Sequence, residues 1–215
     1  MPLRASRILP ALLAGLLLAA AATPACGTAG DPVSREIQRR IAALDAAGMR
    51  ATGPGGRGAA AVLPAFYRRR NFRPAWDDSR AVAQMLDAIR ASAVDGLNPS
   101  DYHQQALAIL ARHPAPGAVE PPTRRAVRDL LLTDALLRLA FHLRAGKVNP
   151  AAQHPGWPLR NAFTVGQVAD IIQRQIEDRS IGRFLESLRP AHPLYASLRG
   201  GLARYRAIAD LGAWQ

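Results

Sequence analysis

The chain has 215 residues, 49% of them hydrophobic, which is enough apolar material for one sizeable domain or two small ones and excludes an intrinsically disordered protein. Its formal charge of +12 comes from 27 Arg and a single Lys against 16 acidic residues. Such a preference for Arg over Lys indicates coding bias rather than selection for phosphate binding.

The first 25 residues have the three parts of a secretory signal peptide. Two arginines precede an apolar run from Ile8 to Ala22, and small residues follow this run. The run is too short for a comfortable membrane span. We therefore expect residues 1–25 to be removed on export. Outside the cytoplasm the anionic partners are peptidoglycan carboxylates, lipid head groups and acidic proteins, which argues against nucleic-acid binding.

Cys26 is the only cysteine, so no intramolecular disulfide can form. A lipid attached to its sulfur would anchor the mature chain to a membrane. Against lipidation, Thr23 stands three residues before it, where a good lipobox has Leu, and the preceding small residues suit ordinary signal peptidase. Membrane association is therefore expected only if Cys26 carries a lipid. A catalytic thiol is not expected there, because no structured histidine lies beside it.

Residues 26–60 are predicted to be a short helix followed by a linker. Asp31 and Pro32 form a good helix start, and the helix that follows is expected to be peripheral. Residues 49–60 are rich in Gly, lack apolar periodicity and are typical of a flexible linker. The folded domain is expected to span residues 61–215.

The segment FYRRRNFRPAW, residues 66–76, combines a basic triplet with aromatic side chains. Such interleaving can bind single-stranded nucleic acid through stacking and charge. More often, aromatic residues at this spacing attach the start of a domain to its core, and we favour that interpretation. Because Pro74 disfavours helix at the residue before it, residues 71–76 are predicted to be extended. The triplet Arg68, Arg69 and Arg70 is the candidate surface for contact with an anionic wall or a partner.

Two helices are predicted next, at residues 79–93 and 98–112. Gly96 is the expected stop of the first, and Asn98 with Pro99 forms the cap and first turn of the second. His103 lies on the second helix, but no other His or acid stands at metal-ligand spacing from it. A metal site is therefore not expected.

The stretch from Thr123 to Pro150 is predicted to be the central helix. Its apolar residues recur at i, i+3 and i+4, and further leucines widen the apolar stripe toward the whole circumference. Gly146 is its expected end. Asp134 stands among these leucines. We interpret it as an acid satisfied by a nearby arginine or backbone donor, because no second carboxylate or metal-ligand partner supports a functional role.

Three more helices are predicted at residues 164–179, 181–188 and 193–211. The first begins with a predicted capping box formed by Thr164 and Gln167. Gly200 and Gly201 lower the helix propensity of the last one, which is tolerable if a neighbouring helix packs closely there. That last helix is expected to turn six large side chains inward: Leu194, Leu198, Leu202, Tyr205, Ile208 and Leu211.

These patterns predict a mainly α protein, an irregular multi-helix bundle around one central helix, with a signal peptide and a flexible linker in front. The sequence has no Gly-rich phosphate loop, no G-x-S-x-G elbow and no H-E-x-x-H motif. No cofactor, metal ligand or catalytic residue is therefore predicted.

Four segments of the chain, taken in order, carry a family resemblance. They are FYRRRNFRPAW (66–76), DGLNPSDY (95–102), TDALLRLAFHLRAGKVNP (133–150) and SLRPAHPLYASLRGGLARYRAIADLGAW (187–214). Together they resemble the scaffold domain of the YcbB-type murein L,D-transpeptidases of Gram-negative bacteria. The resemblance covers about residues 61–215. It implies a helical scaffold in the periplasm and a role in peptidoglycan cross-linking and cell-wall biogenesis.

Proteins of that family continue into a peptidoglycan-binding-like module and a YkuD-type catalytic domain. The catalytic cysteine, in a Ser-x-Gly-Cys type motif and paired with a histidine, exchanges acyl groups to form 3-3 cross-links. This chain stops at Gln215 without such a motif, so the expectation is a truncated scaffold portion that is inactive alone. A freestanding periplasmic helical module that binds peptidoglycan or a cell-wall enzyme is the alternative. The expected partners are peptidoglycan or a transpeptidase catalytic domain, and not nucleic acid.

Overall fold

The computed structural model describes residues 31–46, 54–111, 119–148 and 164–212. Within these ranges it contains eight α-helices, two 3₁₀ turns and no strand, which confirms the predicted mainly α fold class. The helices are α1 (Pro32–Ala46), α2 (Pro54–Arg69), α3 (Ser79–Ala91), α4 (Gln104–Leu110), α5 (Pro122–Ala145), α6 (Val165–Glu177), α7 (Ile181–Ser187) and α8 (Pro193–Asp210). The 3₁₀ turns are Ser92–Asp95 and Pro99–Tyr102.

The predicted signal peptide, residues 1–25, and Cys26 lie outside the described residues. Among the helices of the described ranges, none combines the length and the apolar character needed to cross a membrane.

Helix α5 is the axis of the fold, as its leucine pattern predicted. It contacts α1, α2, α3, α4 and α7. Its leucines at 132, 136 and 137 are fully buried, and those at 139 and 143 nearly so, so apolar side chains cover most of its circumference. The helix ends at Ala145, and Gly146 follows with a φ of 80°, a value that favours glycine.

Two expectations about the N-terminal part need correction. Helix α1 is not peripheral, because Val33, Ile37 and Ile41 are buried and the helix packs on α5. Helix α2 begins at Pro54, so residues 54–60 are helical rather than a linker. Glycine lowers helix propensity by about 1 kcal/mol per residue relative to alanine, which is why these residues were predicted to be flexible. Packing of α2 on α5 and α6 offsets that cost.

The aromatic segment after α2 is held by one carboxylate of α5. Asp129, which is 2% exposed, accepts the Tyr67 hydroxyl at 2.6 Å. It also accepts the backbone N–H groups of Ala75 and Trp76, each at 2.9 Å. One turn further along α5, Thr133 Oγ1 accepts the indole N–H of Trp76 at 2.8 Å. The segment therefore enters the core as predicted, and three of its four aromatic rings, those of Phe66, Tyr67 and Trp76, are buried.

The chain leaves α2 through a left-handed turn and not directly as an extended segment. Asn71 and Phe72 have φ values of 51° and 58°. A left-handed residue other than glycine costs roughly 1–2 kcal/mol. The turn is closed by the Phe72 N–H, which donates to the Tyr67 carbonyl at 2.8 Å. The predicted extended conformation of residues 71–76 is thus wrong for its first two residues.

Asp134 is satisfied by an arginine, as predicted, and also by a histidine. Its Oδ2 accepts Nε of Arg138 at 2.5 Å and lies 2.6 Å from Nε2 of His103. Burial raises the pKa of Asp134, but the hydrogen bonds from His103 and Arg138 outweigh burial and hold the pKa below its ordinary value. His103 itself has a φ of 60° at the junction between Pro99–Tyr102 and α4. The pair therefore ties this junction to α5.

The last helix, α8, is attached to the domain by a third carboxylate, Asp95. The Asp95 side chain is 1% exposed and accepts Nε and Nη2 of Arg189 at 2.9 to 3.0 Å. Its Oδ1 also accepts the Tyr195 hydroxyl at 2.8 Å and lies 3.1 Å from Nε of Arg199. These partners stand about a hundred residues further along the chain, so sequence spacing gave no sign of them.

The apolar face predicted for α8 does not face the core, which corrects that expectation. Helix α8 has no buried residue, and it packs mainly on the 3₁₀ turn Ser92–Asp95. Only Leu202 of the six predicted inward residues is half-buried. The five others are 40% to 85% exposed: Leu194, Leu198, Tyr205, Ile208 and Leu211. Helical spacing predicts that such residues share a face, but it does not say what covers that face.

We predict that Asp129→Asn destabilises the protein by about 2–3 kcal/mol at pH 7. Both carboxylate oxygens accept hydrogen bonds, and an amide nitrogen in place of one of them leaves a buried donor without an acceptor. Urea unfolding followed by circular dichroism measures this change. Asp77→Asn is the matched control, because the Asp77 side chain is 59% exposed in its ion pair and its loss should cost under about 1 kcal/mol. Equal stability of the two variants would refute the role given to Asp129.

We further predict a pH-dependent contribution from Asp134. Because its folded pKa lies below the ordinary value of 3.8, its carboxylate stabilises the fold above that pH, and this stabilisation is lost as the pH falls through the folded pKa. The unfolding free energy lost in Asp134→Asn should be about 1–3 kcal/mol above pH 5 and should shrink toward pH 3. Urea titrations at several pH values test this. A loss that stays constant over the range would contradict the assignment.

Candidate functional site

The three arginines predicted as contact residues lie where α2 ends. Arg68 and Arg69 are in its last turn, where cations favour the negative end of the helix dipole, and Arg70 follows. Their side chains diverge toward different acids of the domain. Arg68 pairs with Asp45 of α1, and Arg69 pairs with Asp170 of α6 at 3.0 Å. The structure thus brings Arg69 and Arg70 to the α6 side and leaves Arg68 on the α1 side.

Arg70 has a structural role. It is the least exposed of the three, at 17%, and its guanidinium lies 5.5 Å from the centre of the Phe66 ring. Its Nη2 donates to the Pro74 carbonyl at 2.7 Å, and its Nη1 donates to the Gln173 side chain of α6. Arg70 therefore joins the left-handed turn to α6 and does not offer a free charge.

Arg68 and Arg69 are held less firmly. Each side chain is about half exposed, and so are the two carboxylates that pair with them. Exposed ion pairs of this kind contribute about 0–1 kcal/mol. An external carboxylate could therefore replace the internal partner at little cost to the fold.

A cleft of about 430 Å³ opens between the end of α2 and α6. Its lining residues are Phe66, Arg69, Arg70, Asn71, Arg73, Ala169, Asp170, Gln173 and Glu177. Arg73 is exposed, and its guanidinium makes no hydrogen bond or ion pair in the part of the chain that the structure describes. Guanidinium groups bind carboxylates through paired N–H donors, so Arg69 and Arg73 give this cleft the means to bind an anionic group. We name it the arginine cleft.

The sequence pattern did not single out Arg73, because it stands apart from the uninterrupted triplet before it. The available signal was its position outside the helix, next to Pro74. A cation in a turn has no neighbour at i±4 to pair with, whereas helical arginines commonly do.

Two further titratable groups of the described residues pair inside the fold. The Tyr102 hydroxyl lies 2.8 Å from His142 Nδ1, a long-range pairing that sequence spacing did not predict. Burial raises the pKa of Tyr102 and lowers the pKa of His142. Both shifts favour the neutral forms near pH 7, so the contact is a hydrogen bond between two uncharged groups. No three His, Cys, Asp or Glu residues of the described ranges stand close enough together to hold a metal ion.

Comparison with known proteins adds one finding. No curated protein and no solved structure matches the chain. One family model does match, over residues 61–202, which is about two thirds of the chain, and it is described as the Scaffold domain. The match begins within α2 and ends within α8, so it contains all three carboxylates that hold the fold together. The chain belongs to the Scaffold domain family.

Proposed function

We propose that this chain is the non-catalytic scaffold of a periplasmic L,D-transpeptidase that takes part in peptidoglycan cross-linking. The observation that carries the proposal is the family match over residues 61–202. That range contains three of the four segments that resemble the YcbB-type enzymes and part of the fourth. The nucleophile of the reaction is assigned to a separate catalytic domain, because these 215 residues hold no Ser-x-Gly-Cys type motif.

The use of polar groups supports a mechanical role. Asp129, Asp134 and Asp95 are each satisfied by donors from distant parts of the chain. Such groups fix the relative positions of helices, and none of them lines the arginine cleft. A rigid support of this kind would hold a catalytic domain in a constant orientation toward the wall.

The arginine cleft is the proposed contact with the wall. Peptidoglycan stem peptides carry free carboxylates, which are the chemical group that Arg69 and Arg73 are placed to bind. Arg68 adds a third exposed cation, on the other side of α2. The proposed wall contact therefore uses Arg68 and Arg69 of the triplet together with Arg73, and it does not use Arg70.

We predict that Arg69→Ala with Arg73→Ala reduces retention of the purified chain on isolated sacculi by about fivefold or more, because two charge-assisted contacts are lost. Arg35→Ala with Arg80→Ala is the matched control, since it removes two exposed cations elsewhere and changes the net charge equally. Quantified pull-down measures retention. The triple variant Arg68→Ala, Arg69→Ala and Arg70→Ala should also be retained less, but the loss of Arg70 will lower the stability of its fold as well. Equal retention of the double variant and its control would discard the wall contact and leave the family membership untouched.

We also predict that the purified chain alone forms no 3-3 cross-linked product and removes no terminal amino acid from muropeptides. Chromatography of digested muropeptides after incubation measures both reactions. The chain with Cys26→Ala serves as the reference, since Cys26 is the only thiol present. Turnover above background in either protein would place chemistry in these residues and would contradict a non-catalytic role.

A further inference from the structure

The outer side of α8 carries an exposed apolar stripe. Leu194, Leu198, Tyr205 and Ile208 are between 40% and 63% exposed. At 100° per residue they fall within an arc of about 80° on the helix. Single exposed apolar residues are ordinary, but a continuous stripe along a helix of 18 residues marks a surface that another molecule covers. We name these four residues the α8 stripe.

The orientation of α8 is fixed by contacts on a different side of the helix. Tyr195 and Arg199 reach Asp95, and Nη1 of Arg206 donates to the Ala93 carbonyl at 2.5 Å. These residues lie about 100° to 140° around the helix from the centre of the α8 stripe. The helix is therefore held by its polar side, and the apolar side is turned outward.

Gly201 makes a notch in the middle of the α8 stripe. A Cβ added to it would meet no atom of the described residues within 4 Å, so none of them fills the space in front of it. Large side chains stand before and after it along the same face. A notch between larger side chains accepts a side chain of a second helix, in the manner of knobs packing into holes. A lipid surface has no fixed side chain that could fill such a notch. The shape therefore favours a helix as the occupant.

Charge determines which kind of helix fits. Arg204 borders the α8 stripe, is exposed, and makes no ion pair in the described part of the chain. A second copy of the chain, with its own charge of +12, would bring a second Arg204 toward the first if the two helices paired antiparallel. Charge complementarity therefore favours an acidic occupant over self-association.

We propose that the α8 stripe is the docking surface for an acidic amphipathic helix of another protein. The partner helix places apolar side chains along the stripe, inserts one of them at Gly201 and sets a carboxylate against Arg204. This surface lies on a different helix from the arginine cleft and goes beyond the proposed contact with the wall. Its test does not depend on cell-wall chemistry.

The experiment is a selection from a displayed library of amphipathic helices, made against the purified chain with no counter-selection. The enriched sequences should carry Asp or Glu beside their apolar stripe. A labelled peptide of the enriched sequence should bind the native chain, and fluorescence anisotropy should show at least tenfold weaker binding to Leu198→Glu. Because the Leu198 side chain is 63% exposed, this variant keeps its fold, which its circular dichroism melting curve verifies.

A charge exchange separates specific docking from general stickiness. Arg204→Glu should weaken binding of the acidic peptide about fivefold, and a peptide with Lys in place of its acidic residues should recover the loss. Arg183→Glu is the control, because Arg183 is an exposed cation on α7, away from the stripe, and it should leave binding unchanged.

Four results would overturn the proposal. One is a selection whose winners bind Leu198→Glu as well as they bind the native chain, and a second is enrichment of basic sequences. A third is a native chain that sediments as a dimer while Leu198→Glu sediments as a monomer, since a second copy would then cover the stripe. A fourth is binding to anionic lipid vesicles that depends on Leu198 and Tyr205, which would assign the stripe to a membrane.

Discussion

The fold depends on the carboxylate of Asp129. This group stands on the central helix and accepts donors from the end of α2 and from the segment that leads into α3. Burial raises its pKa, while the hydrogen bonds from Tyr67, Ala75 and Trp76 act in the opposite direction, and burial prevails. An acid in so apolar a place is costly unless donors surround it. The aromatic segment therefore has one position in which its N–H groups and this acid satisfy each other.

The same solution recurs at two other acids. Asp134 joins α5 to the start of α4 through His103, and Asp95 joins the end of the α3 region to the C-terminal part through Arg189, Tyr195 and Arg199. In each case an acid binds groups that local sequence does not place nearby. Apolar packing around α5 supplies most of the stabilisation, and the three acids determine which arrangement of helices is adopted.

Local chemistry could be predicted from the sequence, and long-range partners could not. The capping box of Thr164 and Gln167 is present as predicted, and Gly96 ends the helical turn after α3 as predicted, with a φ of 77°, because each depends on residues within a few positions. Even local predictions failed in places, since residues 71 and 72 form a left-handed turn and residues 54–60 are helical. The roles of Asp129 and Asp95 and the exposure of the α8 stripe depend on contacts across the chain, for which helical periodicity carries no information.

A scaffold works only if its elements keep their relative positions, so the account requires that the aromatic segment opens no more easily than the whole domain. Native-state hydrogen exchange of the Ala75 and Trp76 amides and the Trp76 indole N–H tests this directly. We expect these hydrogens to exchange only through global unfolding, with opening free energies equal to the free energy of unfolding obtained with urea. Exchange of these hydrogens at rates typical of surface loops, in a protein that is otherwise folded, would show that Asp129 does not hold the segment and would contradict the account.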